Sequence, residues 1–275
     1  IMLDRTINNM GWKGTGGNFE EGYLMGFLVG DGTFYNDNAI LSVWYAQGEE
    51  DVTSGVKSVM NFIHNALDKM PHRSDWNGWN KVPDRNEYRI KSASMSALAD
   101  KYGIYSKEKE IGEKIHTASS EFQKGFISGI FDADGSVQDT HNLNVRLTQN
   151  NLKRLKEVQK ILQRFGVASK IYFDRKKDDS GGYSYRSDDP NLLTSELVIS
   201  KENNILFKNH IDFIDSDKSS RLKAGIDSYT KGPYSEKFTA TFKSLTKIGN
   251  EDVYDVTIEK IHKFNANGII ISNCG

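Results

Sequence analysis

The chain has almost no cysteine: Cys274 is the only one in 275 residues. That excludes an internal disulfide and any zinc site built on several thiolates. Long apolar runs are also missing, and none approaches the ~20 residues that a membrane-spanning helix needs. Residues 1–17 do not pair a basic start with an apolar stretch, as a secretion signal would. No membrane partner is expected, and a cytoplasmic location is. Neither sign of charge is in excess: 36 Lys and Arg stand against 37 Asp and Glu, for a net charge of −1. The net charge therefore does not favour nucleic-acid binding, although a local basic footprint can still provide it. What the chain does have is 37% hydrophobic and 11% aromatic residues, enough for a real core, and 27% charged residues to cover it.

One stretch breaks the charge balance. Residues 153–177 hold Lys153, Arg154, Lys156, Lys160, Arg164, Lys170, Arg175, Lys176 and Lys177, opposed by Glu157 and Asp174. The run reads either as a solvated helix face and hairpin or as a surface that meets phosphates. Lys153, Arg154, Arg175, Lys176 and Lys177 are the candidate DNA contacts.

The strongest pattern is an internal repeat. EEGYLMGFLVGDGTFY (20–35) and QKGFISGIFDADGSVQ (123–138) align on Asp31 and Asp134. ILSVWYAQ (40–47) parallels NLNVRLTQ (142–149), and both alternate like strands. Helical spacing follows, as in Leu152, Leu155, Val158, Leu162 and Phe165. Second strands are expected near Tyr88–Ile90 and Leu197–Ile199, and closing helices near Met95–Tyr102 and Asn203–Ile211. The order is helix, two strands, helix, two strands, helix, twice over, in an α+β fold.

Gly22, Gly26 and Gly30 recur every fourth residue, as do Gly125, Gly129 and Ala133. Such spacing forms one ridge along a helix. Glycine costs up to ~1 kcal/mol in a helix interior, so the ridge needs a purpose. Packing the two equivalent helices backbone to backbone supplies one, and it sets Asp31 beside Asp134. Two carboxylates at helix C-termini face the negative end of both dipoles and repel each other. Divalent cations between them remove both penalties, and oxygen ligands suit Mg²⁺. A lone Asp-Gly is commonly a turn or a helix stop, but two in matched frames point to a shared site. A calcium loop starting at Asp132 does not fit. Its glycine belongs at the sixth position but falls at the fourth, and Leu143 stands where the closing Glu is required.

LMGFLVGDG (24–32) and ISGIFDADG (127–135) resemble the paired motifs of LAGLIDADG homing endonucleases, over roughly residues 18–230. The resemblance implies a monomer with internal pseudo-twofold symmetry. It also implies two antiparallel sheets on double-stranded DNA, double-strand cleavage at a long site, and Mg²⁺ held by Asp31 and Asp134. Position six of the first motif is Val29 rather than an acid. By the same resemblance, Gln149 and Lys201 are expected near the metals, with Gln47 and Lys91 as poorer counterparts.

After about residue 233 the pattern changes. VYDVTIEKIHKFNANGIIISNC (253–274) resembles the last two blocks of inteins. That implies Asn273 as the intein's last residue, Cys274 as the first extein residue, and His262 and Asp255 as assisting groups. The residue types suit the chemistry: a thiol can accept an acyl group, an Asn amide can attack its own carbonyl, and a His can relay protons. Ser272 stands where inteins usually carry His. No Cys or Thr-x-x-His precedes the first motif helix, so residues 1–17 are expected to be a linker from a missing N-terminal splicing half. That half, or a host extein, is an expected partner. The expected layout is endonuclease over 18–232, with repeats at about 18–115 and 121–230, and a β-rich partial intein (Hint) segment over 233–275. Two other readings are a decayed, DNA-binding intein remnant and an RNA maturase-like cofactor. Retention of Asp31 and Asp134 argues against decay, and the Asn273–Cys274 pair argues against the cofactor.

Overall fold

The structure is a computed structural model. It describes residues 11–105, 109–140, 142–175, 194–229, 244–247, 249–250, 252, 263–266 and 269–272.

The first copy opens with α1 (Phe19–Asp31), which starts in a capping box. Asn18 Oδ1 accepts from the Glu21 amide at 2.8 Å, and the Glu21 carboxylate accepts from the Asn18 amide at 3.3 Å. Strands β1 (Gly32–Tyr35) and β2 (Asn38–Trp44), helix α2 (Ser54–Asp68), strands β3 (Asn80–Lys81) and β4 (Glu87–Ser92), and helices α3 (Ala93–Tyr102) and α4 (Glu113–Thr117) follow. The second copy repeats the order with α5 (Ser120–Asp134), β5 (Gly135–Gln138), β6 (Asn144–Gln149), α6 (Leu152–Arg164), β7 (Lys170–Arg175), β8 (Thr194–Ser200), α7 (Glu202–His210) and α8 (Ser216–Asp227). Each copy builds a four-stranded antiparallel sheet of identical topology, β1-β2-β4-β3 and β5-β6-β8-β7. A separate antiparallel hairpin, β9 (Lys263–Ala266) with β10 (Ile269–Ser272), lies near the C-terminus. His262, Asp255, Asn273 and Cys274 lie outside the described residues, as do Lys176, Lys177 and the Arg175 side chain.

Helices α1 and α5 form the centre. Every residue of α1 from Gly22 to Val29 is buried, and so is every residue of α5 from Gly125 to Asp132. A helix apolar all round belongs in a core. The glycine ridges lie in their interface: a Cβ at Gly22 or Gly26 would land on the backbone of Phe122 or Phe126. One at Gly125 or Gly129 would land on that of Phe19 or Tyr23. The glycines after the two aspartates serve a different purpose. Gly32 and Gly135 are extended, at φ −90° and −86°, so the helices run straight into strands instead of ending in a left-handed cap. Their missing Cβ leaves room for the last helical turn, because a Cβ there would meet Leu28 or Phe131.

Two of the differences between the copies lie at the first hairpin and across the central interface. The β1–β2 hairpin turns through Asn36 and Asp37 alone, both at positive φ (45° and 59°), as a tight twisted hairpin requires. The β5–β6 connection runs from Asp139 to Leu143. Across the central interface, the buried Tyr23 hydroxyl donates to Asp132 Oδ2 at 2.7 Å. The counterparts of Tyr23 and Asp132 in the other helix are Phe126 and Val29, both buried.

Candidate active site

The ridge contact continues to the helix ends. A Cβ at Gly30 would meet Ala133 and come within 3.2 Å of Asp134 Oδ2, so the two Asp-Gly ends adjoin. Burial raises the Asp31 carboxyl to about 7; Asp134 adds to the rise, while Lys218 and Lys109 oppose it. The Asp134 carboxyl is also raised by burial, against the hydrogen bond from Gln149 and the charges of Arg154, Lys109 and Lys218. Two partly desolvated acids of like charge hold protons that a free carboxyl would release.

Two lysines close the helix ends. Lys109 Nζ donates to the carbonyls of Leu28 (3.3 Å), Gly30 (3.3 Å) and Gly32 (2.7 Å). Lys218 Nζ donates to those of Phe131 (3.2 Å) and Asp132 (2.6 Å). Ammonium groups at helix C-termini satisfy orphan carbonyls and offset the dipole. Burial lowers both lysines, and the neighbouring carboxylates partly restore them. Lys218 is placed by Asp132, whose carboxylate accepts from the amides of Ile214 (2.9 Å) and Asp215 (3.3 Å) just before α8. Burial raises the Asp132 carboxyl to about 6, with Lys218 and these hydrogen bonds opposing the rise.

In the second copy a polar relay reaches the pair. Gln149 Nε2 donates to Asp134 Oδ2. Arg154 Nη1 donates to Gln149 Oε1 at 2.9 Å, and Arg154 Nε is buried with no hydrogen-bond partner.

The other sequence candidates fall elsewhere. Gln47 sits in an exposed turn beyond β2. The shorter first hairpin shifts the register: Gly32 pairs with Leu41, whereas Gly135 pairs with Leu147, so the counterpart of Gln149 is Val43. Lys201 follows Ser200, which pairs with Asn144, whereas Gln149 pairs with Ser195. Five residues of strand at about 3.3 Å each therefore separate Lys201 from the Gln149 end. Lys91 is exposed on β4. Lys109 and Lys218 gave no sequence signal beyond being two of many lysines.

The basic run divides between two faces. Helix α6 packs Leu155, Val158, Ile161 and Leu162 on the core side of its sheet. Lys153 pairs with Glu110 at 2.7 Å, and Arg164 donates to the His116 carbonyl at 2.7 Å. The outward face of that sheet carries Ser136, Arg146, Val198 and Lys170 in register, with Arg146 held to Glu196 at 3.1 Å.

The donors present fit Mg²⁺: two carboxylates with no His, Cys or further acid grouped around them among the described residues. Mg²⁺ keeps waters and takes phosphate oxygens beside one or two carboxylates.

No helix among the described residues is long and apolar enough to cross a membrane. The chain is 28% identical over 270 residues to ribonucleoside-diphosphate reductase NrdEB subunit alpha of Bacillus subtilis (strain 168), covering 92% of this chain and 24% of that protein. It is 25% identical over 264 residues to a DNA polymerase of Thermococcus hydrothermalis, covering 91% of this chain and 15% of that protein. It thus spans less than a quarter of either relative's length. It is also similar to a solved structure of a mesophilic variant of the homing endonuclease I-DmoI. That match has 19% identity and a TM-score of 0.49, and covers 75% of this chain and 97% of the other. Residues 121–212, which run through the second copy from α5 to the end of α7, match the family of LAGLIDADG-like domains.

Proposed function

We propose that the chain is a metal-dependent endonuclease that makes double-strand breaks at a specific DNA site, carried as an intein within a host protein. The observation that carries the endonuclease reading is the pair Asp31 and Asp134. They stand at adjoining ends of equivalent helices, with raised carboxyls and a lysine at each end. Bound there, Mg²⁺ would polarise a phosphodiester and lower the pKa of water. The protein's own groups do the rest. Asp31 and Asp134 would hold the ion, and Gln149, which donates to Asp134, would fix the orientation of that carboxylate. Lys109 and Lys218 set positive charge where a phosphate gathers negative charge. The test is linearisation of a plasmid bearing the uninterrupted host gene, with Mg²⁺ and with EDTA. Binding without cleavage would leave a DNA-binding remnant.

The outward sheet faces are the surfaces offered to the duplex, and Lys91 and Lys170 lie on them. Each phosphate contact contributes about −0.9 to the slope of log affinity against log salt. Lys91→Gln and Lys170→Gln should each flatten that slope by about one, while Lys156→Gln, on the opposite side of the sheet, should leave it unchanged. Fluorescence anisotropy across a salt series reads this directly. A slope altered by Lys156→Gln but not by the other two would place the DNA on the wrong side of the molecule.

The intein reading rests on the match over residues 253–274. It is also supported by the small share of each longer relative that the chain spans. Asn273 would cyclise and release Cys274, with His262 moving protons. Asn273→Ala should abolish release of a reporter fused after Gly275, because no neighbouring side chain forms the succinimide. Release that survives this substitution, seen by mass spectrometry, would remove the splicing assignment.

A further inference from the structure

The segment that carries Lys218 is gripped from two sides. On one side is α5, where Asp132 accepts from the amides of Ile214 and Asp215. On the other is the first turn of α2, which belongs to the first copy. Ser58 Oγ accepts from the Ser216 amide at 3.0 Å. The Asp217 carboxylate accepts from the Ser54 hydroxyl and from the Gly55 amide, both at 2.8 Å. These two donors, with Thr53, hold the Asp217 carboxyl below the usual carboxylate range, and the positive end of the α2 dipole favours a charge there. Asp215 fixes the backbone of Lys218 itself, accepting from the amides of Asp217 at 2.9 Å and Lys218 at 3.0 Å. Gly55 lets the two copies approach this closely, because a Cβ there would collide with Asp215 Oδ1. Lys109 is anchored differently. Its neighbour Glu110 meets Lys153 at 2.7 Å on the surface, with side chains 41% and 65% exposed.

We infer that Asp217, Ser54 and Gly55 are positioning residues for the reaction, through which the first turn of α2 in one copy seats Lys218 at the end of α5 in the other. This rests on the endonuclease reading, in which Lys218 sets positive charge beside the phosphate. A lysine has four rotatable bonds, so its ammonium is placed only as well as the backbone that carries it. Asp217, Ser54 and Gly55 meet one another between α2 and the start of α8, and their effect on cleavage passes through Lys218.

The test is a double-mutant cycle on the full chain, with a duplex that it retains, in Ca²⁺, from a randomised-sequence library. Cleavage is timed in Mg²⁺ with the protein in excess. Lys218→Met should slow it at least about a hundredfold. Asp217→Ala should slow it at least about tenfold, with affinity in Ca²⁺ changed less than about twofold. In the Lys218→Met background, Asp217→Ala should cost less than about twofold more, because the lysine it seats is gone. Ser54→Ala removes one exposed bond, and it carries the cycle if Asp217→Ala lowers the melting temperature. Acylation of amines, read by peptide mass spectrometry, should show Lys218 modified faster in Asp217→Ala and Lys109 unchanged. This result decides if the Lys218→Met rate falls below detection. A merely structural loss would expose both lysines and would slow cleavage by the same factor in both backgrounds. Either of those outcomes, or an Asp217→Ala protein that cuts at the wild-type rate, overturns the inference alone. A wild type that leaves the duplex intact overturns the endonuclease reading and this inference with it.

Discussion

Asp31→Asn and Asp134→Asn should each cut DNA cleavage by on the order of a thousandfold, while making the metal-free protein more stable at neutral and alkaline pH. The loss follows from removing one of the two carboxylates that can hold a divalent ion. The gain follows from the raised carboxyl of Asp31, pushed to about 7 by burial and by Asp134. An unfolded chain releases that proton near pH 4, but the folded chain keeps it until about 7. Between those values the folded state binds more protons, so stability falls as pH rises through the window. Above it the whole cost is present, and below it none is. An amide carries no such charge. Roughly 1–3 kcal/mol should separate Asp31→Asn from the wild type at pH 8 without metal, after discounting for partial solvent contact. The difference should vanish near pH 4. Mg²⁺ at pH 8 should raise the melting temperature of the wild type and leave that of Asp31→Asn unchanged, with DNA affinity within about tenfold. A variant that cleaves normally, or a wild type whose metal-free stability ignores pH between 4 and 7, would contradict the site.

Gly26→Ala should unfold or severely weaken the protein, with a loss of roughly 3 kcal/mol or more. Helix propensity alone predicts the opposite, a gain approaching 1 kcal/mol. Space decides the sign. A Cβ at Gly26 would lie on the Phe126 carbonyl oxygen and close to the Ile130 amide. Those are backbone atoms of a buried helix and cannot swing away. Gly112 provides the control, because a Cβ there meets nothing within 4 Å, and Gly112→Ala should cost no more than the roughly 1 kcal/mol that alanine loses as the N-cap of α4. Urea titrations of the two variants give the comparison. If Gly26→Ala were as stable as the wild type, the two helices would not be in backbone contact.

The sequence shows the centre of this molecule better than its periphery, for a physical reason. Glycines at a four-residue spacing have few uses other than close helix packing, so the ridges and the two aspartates can be read directly. Loop lengths carry no such constraint. The first hairpin is shorter than the second, and every register argument beyond it slips, which is how Gln47 stood in for Val43. Lys201 fails for a related reason. It follows β8 at φ +58°, at the end of the sheet away from Gln149, and which end a residue occupies depends on strand pairing. Lys109 and Lys218 are illegible because lysine is an ordinary surface residue. Their importance lies in burial beneath helix termini, and those contacts span about 80 residues of chain or more.

The single hydrogen bond from Tyr23 to Asp132 bears on how the chain avoids assembling with itself. The two ridges are similar enough that α5 of one molecule could be offered to α5 of another, as happens when halves of a duplicated protein exchange. In that arrangement Asp132 would face Phe126 in place of Tyr23 and keep only the amides of Ile214 and Asp215, at a cost of roughly 1.5–3 kcal/mol for the lost hydrogen bond to a charged group. The reciprocal pairing of two α1 helices would strand the Tyr23 hydroxyl against Val29. Only the pairing of unlike halves satisfies both groups. One polar contact in an otherwise apolar seam thus acts as a lock that a like half cannot fit, and it favours a solitary molecule over an exchanged dimer, including while the chain folds.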